Sequence, residues 1–302
     1  MKLKYIIIFL LLAISLEVNA QNNANSSSVS QSSRIEELEL PVIPSSLRSP
    51  SERASYLIEH YWDNLDFTDT VKVQNSNLME QSLVNYLSVL PYAENDDIIE
   101  NGFAILLNKS CVNKNAFTTV VNLSETYLSE KDSPMVSDQF YVDFLKALQN
   151  VECLSSVEKL RTADRLEMIS KNMPGSLAEN FEFTTLNGET TNLMNSLPSG
   201  DTNLLLIFFD PDCENCDVVM NRIRNNEEIN KQISNNNIKV LAIYSGGNKE
   251  GWRRKGKTLP FSWTVGINSG EIEDNDLYFF PYMPTIYLLD NKGKILDRNM
   301  EF

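Results

Sequence analysis

Apolar positions between residues 49 and 173 recur at intervals of three and four, which is the spacing of one face of an α-helix. The pattern begins after Ser49-Pro50, where a capping serine followed by proline is typical of a helix start. Ser155 and Glu158 are spaced as a capping box before the last helical pattern. The other helical patterns cover residues 79–90, 96–108, 116–129 and 140–148. This part of the chain therefore predicts an all-α helical bundle.

A different pattern begins after residue 174. The short apolar run Leu204–Phe209 ends at Asp210-Pro211-Asp212, and it is too short and too β-favouring for an independent helix. We therefore predict a buried central strand there, followed by a helix that opens near Cys213. Asn187-Gly188 predicts a hairpin ahead of the strand, and a later apolar run follows Met283-Pro284-Thr285. Strands and helices together predict an α/β domain.

The chain of 302 residues, 42% of them hydrophobic, is long enough for two domains of ordinary size. Residues 21–48 are rich in Ser, Asn and Gln and hold too few apolar side chains to form a core, so we predict a flexible linker. The predicted organisation is a signal peptide over 1–20, the linker over 21–48, a helical domain over 49–173 and an α/β domain over 174–302.

The first twenty residues have the organisation of a cleaved secretory signal. Lys2 and Lys4 precede the apolar stretch Tyr5–Leu16, and Val18-Asn19-Ala20 supplies small residues for signal peptidase. Because the stretch is shorter than the ~20 residues that span a bilayer, we expect export without stable membrane insertion. The net charge of −15 argues against nucleic acid and anionic membrane surfaces as partners.

The candidate chemistry is a dithiol, Cys213-Glu214-Asn215-Cys216, at the start of the predicted helix. The positive end of a helix favours a thiolate, although C-x-x-C also occurs as half of a metal site or as an inert structural bridge. A second C-x-x-C is missing, and the only histidine, His60, lies on the first predicted helix, so we predict no metal and no cofactor. The agreement of strand, helix start, Met-Pro-Thr and export pattern favours redox activity.

These features together resemble the thioredoxin superfamily, and within it the exported ResA/TlpA-like branch, from about Leu177 to the end. The resemblance implies an overall α + α/β class, with a thioredoxin-like α/β sandwich after the helical bundle. It also implies that Cys213 attacks a client disulfide, that Cys216 resolves the mixed disulfide, and that Met283 and a cis Pro284 seat the client strand. The implied partners are client protein or peptide disulfides and a membrane or periplasmic redox partner, and the implied compartment is the periplasm.

The chain departs from the thioredoxin pattern beside the dithiol. Asp212 and Ile207 stand where thioredoxins carry a tryptophan and a buried aspartate. Negative charge disfavours a thiolate, so we expect Cys213 to be a slow nucleophile at neutral pH and the pair to have a reductant-like potential. The carboxylates crowded around the pair belong to Asp210, Asp212, Glu214 and Asp217.

The helical segment, on Tyr61–Phe67 and Asn172-Met173-Pro174-Gly175, resembles a family of unknown function found before thioredoxin-like domains in Bacteroidetes-type bacteria. That resemblance implies an architecture and no chemistry. The main alternative to an oxidoreductase is accordingly a binding or scaffolding protein, whose helical domain recognises a partner while its thioredoxin-like module is redox-silent.

Cys111 and Cys153 form a second candidate pair. If the helices alternate in direction, both cysteines lie at the same end of the bundle. A structural disulfide and two buried free thiols both fit the sequence, because sequence does not establish the Cα separation below ~7 Å that a disulfide requires.

Overall fold

The computed structural model describes residues 37–298 and residue 300, which fold into two compact units. The first unit ends at Ala163 and the second begins at Asp164. The predicted signal peptide lies outside the described residues, as does the predicted linker up to residue 36. Within the described residues, no helix has both the length and the apolar composition needed to cross a membrane. The sequence-based domain boundary between residues 173 and 174 stays a prediction.

The first unit is all-α, and local capping explains where its helices begin. The Ser49 hydroxyl accepts the Glu52 N–H at 3.1 Å, and the Glu52 carboxylate accepts the Ser49 N–H at 3.0 Å, so a capping box starts α1. Ser155 and Glu158 make the same reciprocal bonds before the last helix, as the sequence predicts. The helices are α1 (Pro50–His60), α2 (Thr70–Gln74), α3 (Ser76–Leu87), α4 (Asp96–Ser110), α5 (Lys114–Ser129), α6 (Asp138–Gln149) and α7 (Ser156–Ser170). The boundary between the two units falls within α7, after Ala163.

Aromatic side chains form the centre of this unit. Trp62 and Tyr86 are fully buried with ring centroids 5.6 Å apart, and Phe103 lies 5.8 Å from Tyr86. Gly102 allows α4 to approach α1 closely, since a Cβ at this position would lie 2.4 Å from Cγ2 of Ile58. The aromatic positions of the first helices are therefore core positions.

The second unit contains one mixed seven-stranded sheet in the order β2-β1-β5-β4-β3-β6-β7. Strand β3 pairs parallel to β4 and antiparallel to β6, while β1 and β2 form the hairpin predicted around Asn187-Gly188. These elements confirm an α/β fold after the helical unit. The strands are β1 (Glu182–Thr185), β2 (Thr190–Asn192), β3 (Asn203–Phe208), β4 (Ile238–Tyr244), β5 (Trp263–Ile267), β6 (Thr285–Leu289) and β7 (Ile295–Arg298). The helices are α8 (Glu214–Asn225), α9 (Glu227–Ser234), α10 (Lys249–Gly256) and α11 (Glu271–Asp274).

Strand β3 is buried on both faces, which explains its uninterrupted apolar sequence. Leu205 and Ile207 belong to the core that includes Trp252 of α10 and residues of α8 and α9. Leu206 and Phe208 belong to the core on the opposite face. Helices α8, α9 and α10 therefore cover the same face of the sheet, and the chain leaves the carboxyl end of β3 directly into α8.

Candidate active site

The dithiol lies where β3 gives way to α8. Cys213 is the N-cap residue of α8, with extended backbone, and its Sγ accepts the Cys216 N–H at 3.1 Å. A thiol in this position lies at the positive end of the helix, which favours the thiolate. Both cysteines are free thiols, with Cys213 half-buried and Cys216 fully buried. Only Cys213 thus presents its sulfur toward a large reactant.

Cys216 lies against the apolar core of the sheet, together with Met220 and Ile286. Burial raises the pKa of the Cys216 thiol, and its hydrogen bond with Cys213 raises it further, although a backbone hydrogen bond from Asp210 acts in the opposite direction. Cys216 therefore holds its proton at neutral pH. The two sulfurs of the motif therefore differ in accessibility.

The Met283–Pro284 peptide bond is cis and lies beside the dithiol. The Sγ of Cys213 is 3.9 Å from the Met283 carbonyl oxygen, and the Asn215 side-chain amide donates to the same oxygen at 2.7 Å. Pairing of Thr285 with Phe208 fixes this segment, because it holds the start of β6 against the end of β3. The structure thus brings together all four residues that the sequence assigns to the site.

Sequence reasoning missed Asn215 as a site residue. Its partner, Met283, is 68 residues further along the chain. Asparagine in a C-x-x-C motif is compatible with simple solvent exposure, so the sequence alone offered no reason to assign it a contact.

Helix α10 supplies cations to the acidic surroundings of the dithiol. Asp212 accepts a hydrogen bond from Asn248 at 2.9 Å and lies 3.4 Å from Arg254, and Asp217 forms an ion pair with Lys255. The crowded carboxylates that the sequence predicts are present, but two of them face cations that sequence reasoning missed. The run of basic residues at 253–255 was the available signal.

The other candidate groups lie in the helical unit. Cys111 and Cys153 form a disulfide with a Cα separation of 5.8 Å, the pairing that the sequence left open. His60 packs against Tyr56 with the two rings tilted, and it contacts Asp63 through Nδ1 at 2.8 Å. In the part of the chain that the structure describes, no three His, Cys, Asp or Glu side chains are grouped to hold a metal ion.

The chain is similar to known proteins in both units. The family model described as a domain of unknown function, DUF5106, matches residues 15–172. The crystal structure of a thioredoxin-like protein from Bacteroides caccae is 29% identical, with 87% of this chain and 94% of that chain covered and a TM-score of 0.78. This similarity extends over both units and shows that the predicted thioredoxin-like fold is correct.

Shorter similarities involve less than half of this chain. A conserved protein of unknown function from Bacteroides fragilis is 30% identical over 43% of this chain and 93% of that chain, with a TM-score of 0.40. The C-terminal domain of an uncharacterized Bacteroides fragilis protein is 26% identical over 44% of this chain and 94% of that chain, with a TM-score of 0.42. No protein of curated function matches the chain.

Proposed function

We propose, from the premise that this chain belongs to the DUF5106 family and carries a thioredoxin-like second unit, that it is an exported thiol-disulfide oxidoreductase. Its substrates are disulfides of client proteins or peptides. The observation that carries the proposal is a free dithiol whose outer member, Cys213, caps α8 beside the cis Met283–Pro284 bond. This arrangement joins an accessible sulfur, a source of positive potential and a segment of backbone that a client strand can reach.

In the first step, the Cys213 thiolate attacks one sulfur of the client disulfide. The client S–S bond breaks, its second sulfur leaves as a thiolate and takes a proton from solvent, and a mixed disulfide joins Cys213 to the client. The Cys216 N–H and the N-terminal end of α8 stabilise the negative charge on Cys213 before the attack.

In the second step, Cys216 loses its proton and attacks the Cys213 sulfur, so the client leaves as its second thiol. Two electrons have then passed to the client, and Cys213 and Cys216 are joined as a disulfide. A dithiol partner in the membrane or periplasm restores the reduced pair. Because Cys216 is buried and protonated, it does not compete with Cys213 for the client disulfide in the first step.

Met283 and Pro284 would seat the client beside Cys213. The Met283 carbonyl lies next to the attacking sulfur, and the Asn215 amide fixes its direction. A client strand placed along this segment would bring its disulfide within reach of Cys213, which is the positioning that exchange requires.

The test is a redox titration of the mature protein, with alkylation and mass spectrometry to follow the Cys213–Cys216 bond separately from Cys111–Cys153. The reduction potential of an exchange-active pair is expected between about −120 and −270 mV. The reduction potential of a structural disulfide lies below about −300 mV. A value in the second range would reject the oxidoreductase and favour the redox-silent scaffold. The reduction potential of a reductant-like enzyme would lie near about −270 mV, the more negative end of the first range.

The matched variant is Cys213→Ser, since a serine hydroxyl also accepts the N–H of the helix start and preserves the cap. Reduction of a cystine peptide by the wild-type protein should disappear in this variant while its unfolding free energy stays within about 1 kcal/mol of the wild type. Equal reduction rates for both proteins would contradict the role of Cys213.

Export is tested separately, because the predicted signal peptide lies outside the described residues. Expression in a Gram-negative host should give a periplasmic protein whose N-terminus is Gln21. Recovery of the full-length chain in the cytoplasm would reject this part of the proposal without affecting the dithiol chemistry.

A further inference from the structure

Helices α8 and α10 lie side by side with their N-terminal ends together. Asn248, the N-cap residue of α10, donates to Asp212, which precedes the N-cap residue of α8. Further along the pair, the Arg224 guanidinium donates to the Thr258 carbonyl at 3.5 Å. The two helices therefore run in the same direction, and α10 begins next to the dithiol.

The surface of α10 is strongly basic in an acidic protein. Five of the nine residues from Lys249 to Lys257 are lysine or arginine, although the chain as a whole has a net charge of −15. Lys249, Arg253 and Lys257 are four residues apart, so they occupy one side of the helix, and all three are exposed. We name these three residues the basic stripe.

Arg253 lies in the last turn of α10, where the helix dipole favours a cation, but the repulsion within the basic stripe acts against helix stability. Like charges four residues apart destabilise a helix by about 0.2–0.5 kcal/mol per pair, and the stripe contains two such pairs. The carboxylates that contact α10, Asp212 and Asp217, lie against Arg254 and Lys255 instead of the stripe. The burial of Trp252 on the other side of α10 explains how the helix docks, but it does not require cations on the outer side.

We propose that the basic stripe binds an acidic segment of the client next to the client disulfide. This inference rests on the proposed function and names the class of client: disulfides flanked by aspartate or glutamate. The stripe extends for about 12 Å, the rise of eight helical residues, which matches three to four residues of an extended peptide. Because side chains alternate along an extended strand, a segment of this length presents two carboxylates toward the basic stripe.

Position and charge support this occupant. The basic stripe begins at Lys249, which follows Asn248, the residue that contacts Asp212. Because Asp212 directly precedes Cys213, a bound segment would lie close to Cys213. Arg254 adds to the field because its side chain is 71% exposed even beside Asp212. Clefts and surfaces of one charge raise the association rate of oppositely charged ligands by about 10- to 1000-fold at low salt.

The experiment compares two cystine-bridged peptides that differ only in having glutamate or glutamine beside the disulfide. At about 0.01 M ionic strength, where the Debye length is ~30 Å, the wild-type protein should reduce the glutamate peptide with about tenfold higher kcat/KM. The ratio should approach one at about 1 M ionic strength, where the Debye length is ~3 Å. The variant R253E/K257E should lose the preference at low salt.

The matched control is K231E/K292E, which makes the same change in charge at exposed lysines. Lys292 lies in the turn after β6, at the end of the sheet opposite the dithiol, and Lys231 lies on α9. This control should keep most of the preference. A wild-type ratio near one, or an equal loss in both double variants, would overturn the inference.

A binding measurement distinguishes failure of the proposed oxidoreductase function from failure of the basic stripe to bind acidic segments. A labelled glutamate peptide with serine in place of both cysteines should bind the wild-type protein more tightly than R253E/K257E at low salt, whether or not the dithiol is active. If it binds in this way but neither cystine peptide is reduced, the oxidoreductase is rejected and the basic stripe stands. If both are reduced at equal rates, only the stripe is rejected.

Discussion

Asp212 connects three parts of the site at the scale of single residues. It directly precedes Cys213, accepts a hydrogen bond from the N-cap of α10 and pairs with Arg254. The two charged side chains are 59% and 71% exposed, so their ion pair contributes less than ~1 kcal/mol to stability. Asp212 also places a negative charge directly before Cys213 in the chain.

We predict that Asp212→Asn makes Cys213 react faster. The amide retains an oxygen for the Asn248 bond but removes the negative charge of the residue directly before Cys213. The rate of alkylation by iodoacetamide at pH 7 should rise by about two- to fivefold. The remote change Asp201→Asn is the control, and an unchanged rate in Asp212→Asn would show that Arg254 already cancels this charge.

Because the Cys216 thiol is buried, we predict that the unfolding free energy of the reduced protein depends on pH. Burial raises its pKa above the ~8.5 of a free thiol, so the unfolded chain releases this proton first as pH rises. The stabilisation is complete below pH ~8.5 and declines as pH increases from there toward the raised value. Urea unfolding under reducing conditions should show a steeper loss between pH ~8.5 and ~10 in the wild type than in Cys216→Ala.

The comparison between variants is necessary for this measurement. Burial also raises the pKa values of Tyr61, Tyr86 and Tyr278, which contribute the same sign of pH dependence in both proteins. Parallel pH profiles for the wild type and Cys216→Ala would show that the thiol makes no contribution.

At the scale of elements, the close approach of α1 and α4 depends on Gly102. A Cβ there would lie 2.4 Å from Ile58 Cγ2 and 2.6 Å from the Tyr86 hydroxyl, and both neighbours are completely buried. Neither neighbour can move into solvent without separating the helices. Close packing therefore favours glycine at this position of α4, although alanine favours a helix by about 1 kcal/mol.

We predict that Gly102→Ala destabilises the helical unit. Overpacking costs typically about 1–3 kcal/mol, and because both neighbours are fully buried we expect a cost above the gain of about 1 kcal/mol in helix propensity. Chemical denaturation should show a lower midpoint for Gly102→Ala. Gly247→Ala is a matched control, because no atom lies within 4 Å of its added Cβ; a stabilised Gly102→Ala would mean that the helices separate without cost.

At the scale of the whole molecule, the four cysteines form two separate systems. The Cys111–Cys153 disulfide joins the C-cap of α4 to the segment before α7 and closes a separation of 42 residues in the helical unit. The free Cys213 and Cys216 belong to the second unit. The disulfide of the helical unit and the dithiol proposed for exchange therefore use different cysteine pairs.

We predict that replacing Cys111 and Cys153 together by serine lowers the unfolding free energy of the helical unit by about 4 kcal/mol. The value is the loss of chain entropy expected for a loop of this length. Hydrogen exchange should accelerate in α4 and α6 but stay nearly constant in β3. Equal acceleration in both units would show that the disulfide stabilises the chain as a whole.

Local sequence rules predicted the elements that depend on neighbouring residues. The helix starts at Ser49 and Ser155 follow from capping boxes completed within three residues, and the two-sided apolar run of β3 follows from its own composition. The five-residue α2 was missed because it is too short to show a helical repeat, although Asp69 caps it. A helix or strand was therefore predictable from sequence where its capping residues or apolar repeat lie within a single segment.

The sequence by itself determined the two-part architecture, the dithiol at a helix start and the proline segment that follows. Only the tertiary structure decided which groups meet these residues: Asn215 on the Met283 carbonyl, Arg254 and Lys255 beside the carboxylates, and Cys111 with Cys153. Capping and periodicity act over a few residues of one segment, whereas these contacts join segments separated by 38 to 68 residues. Their partners are chosen by the packing of helices and strands on a common core, which no local pattern specifies.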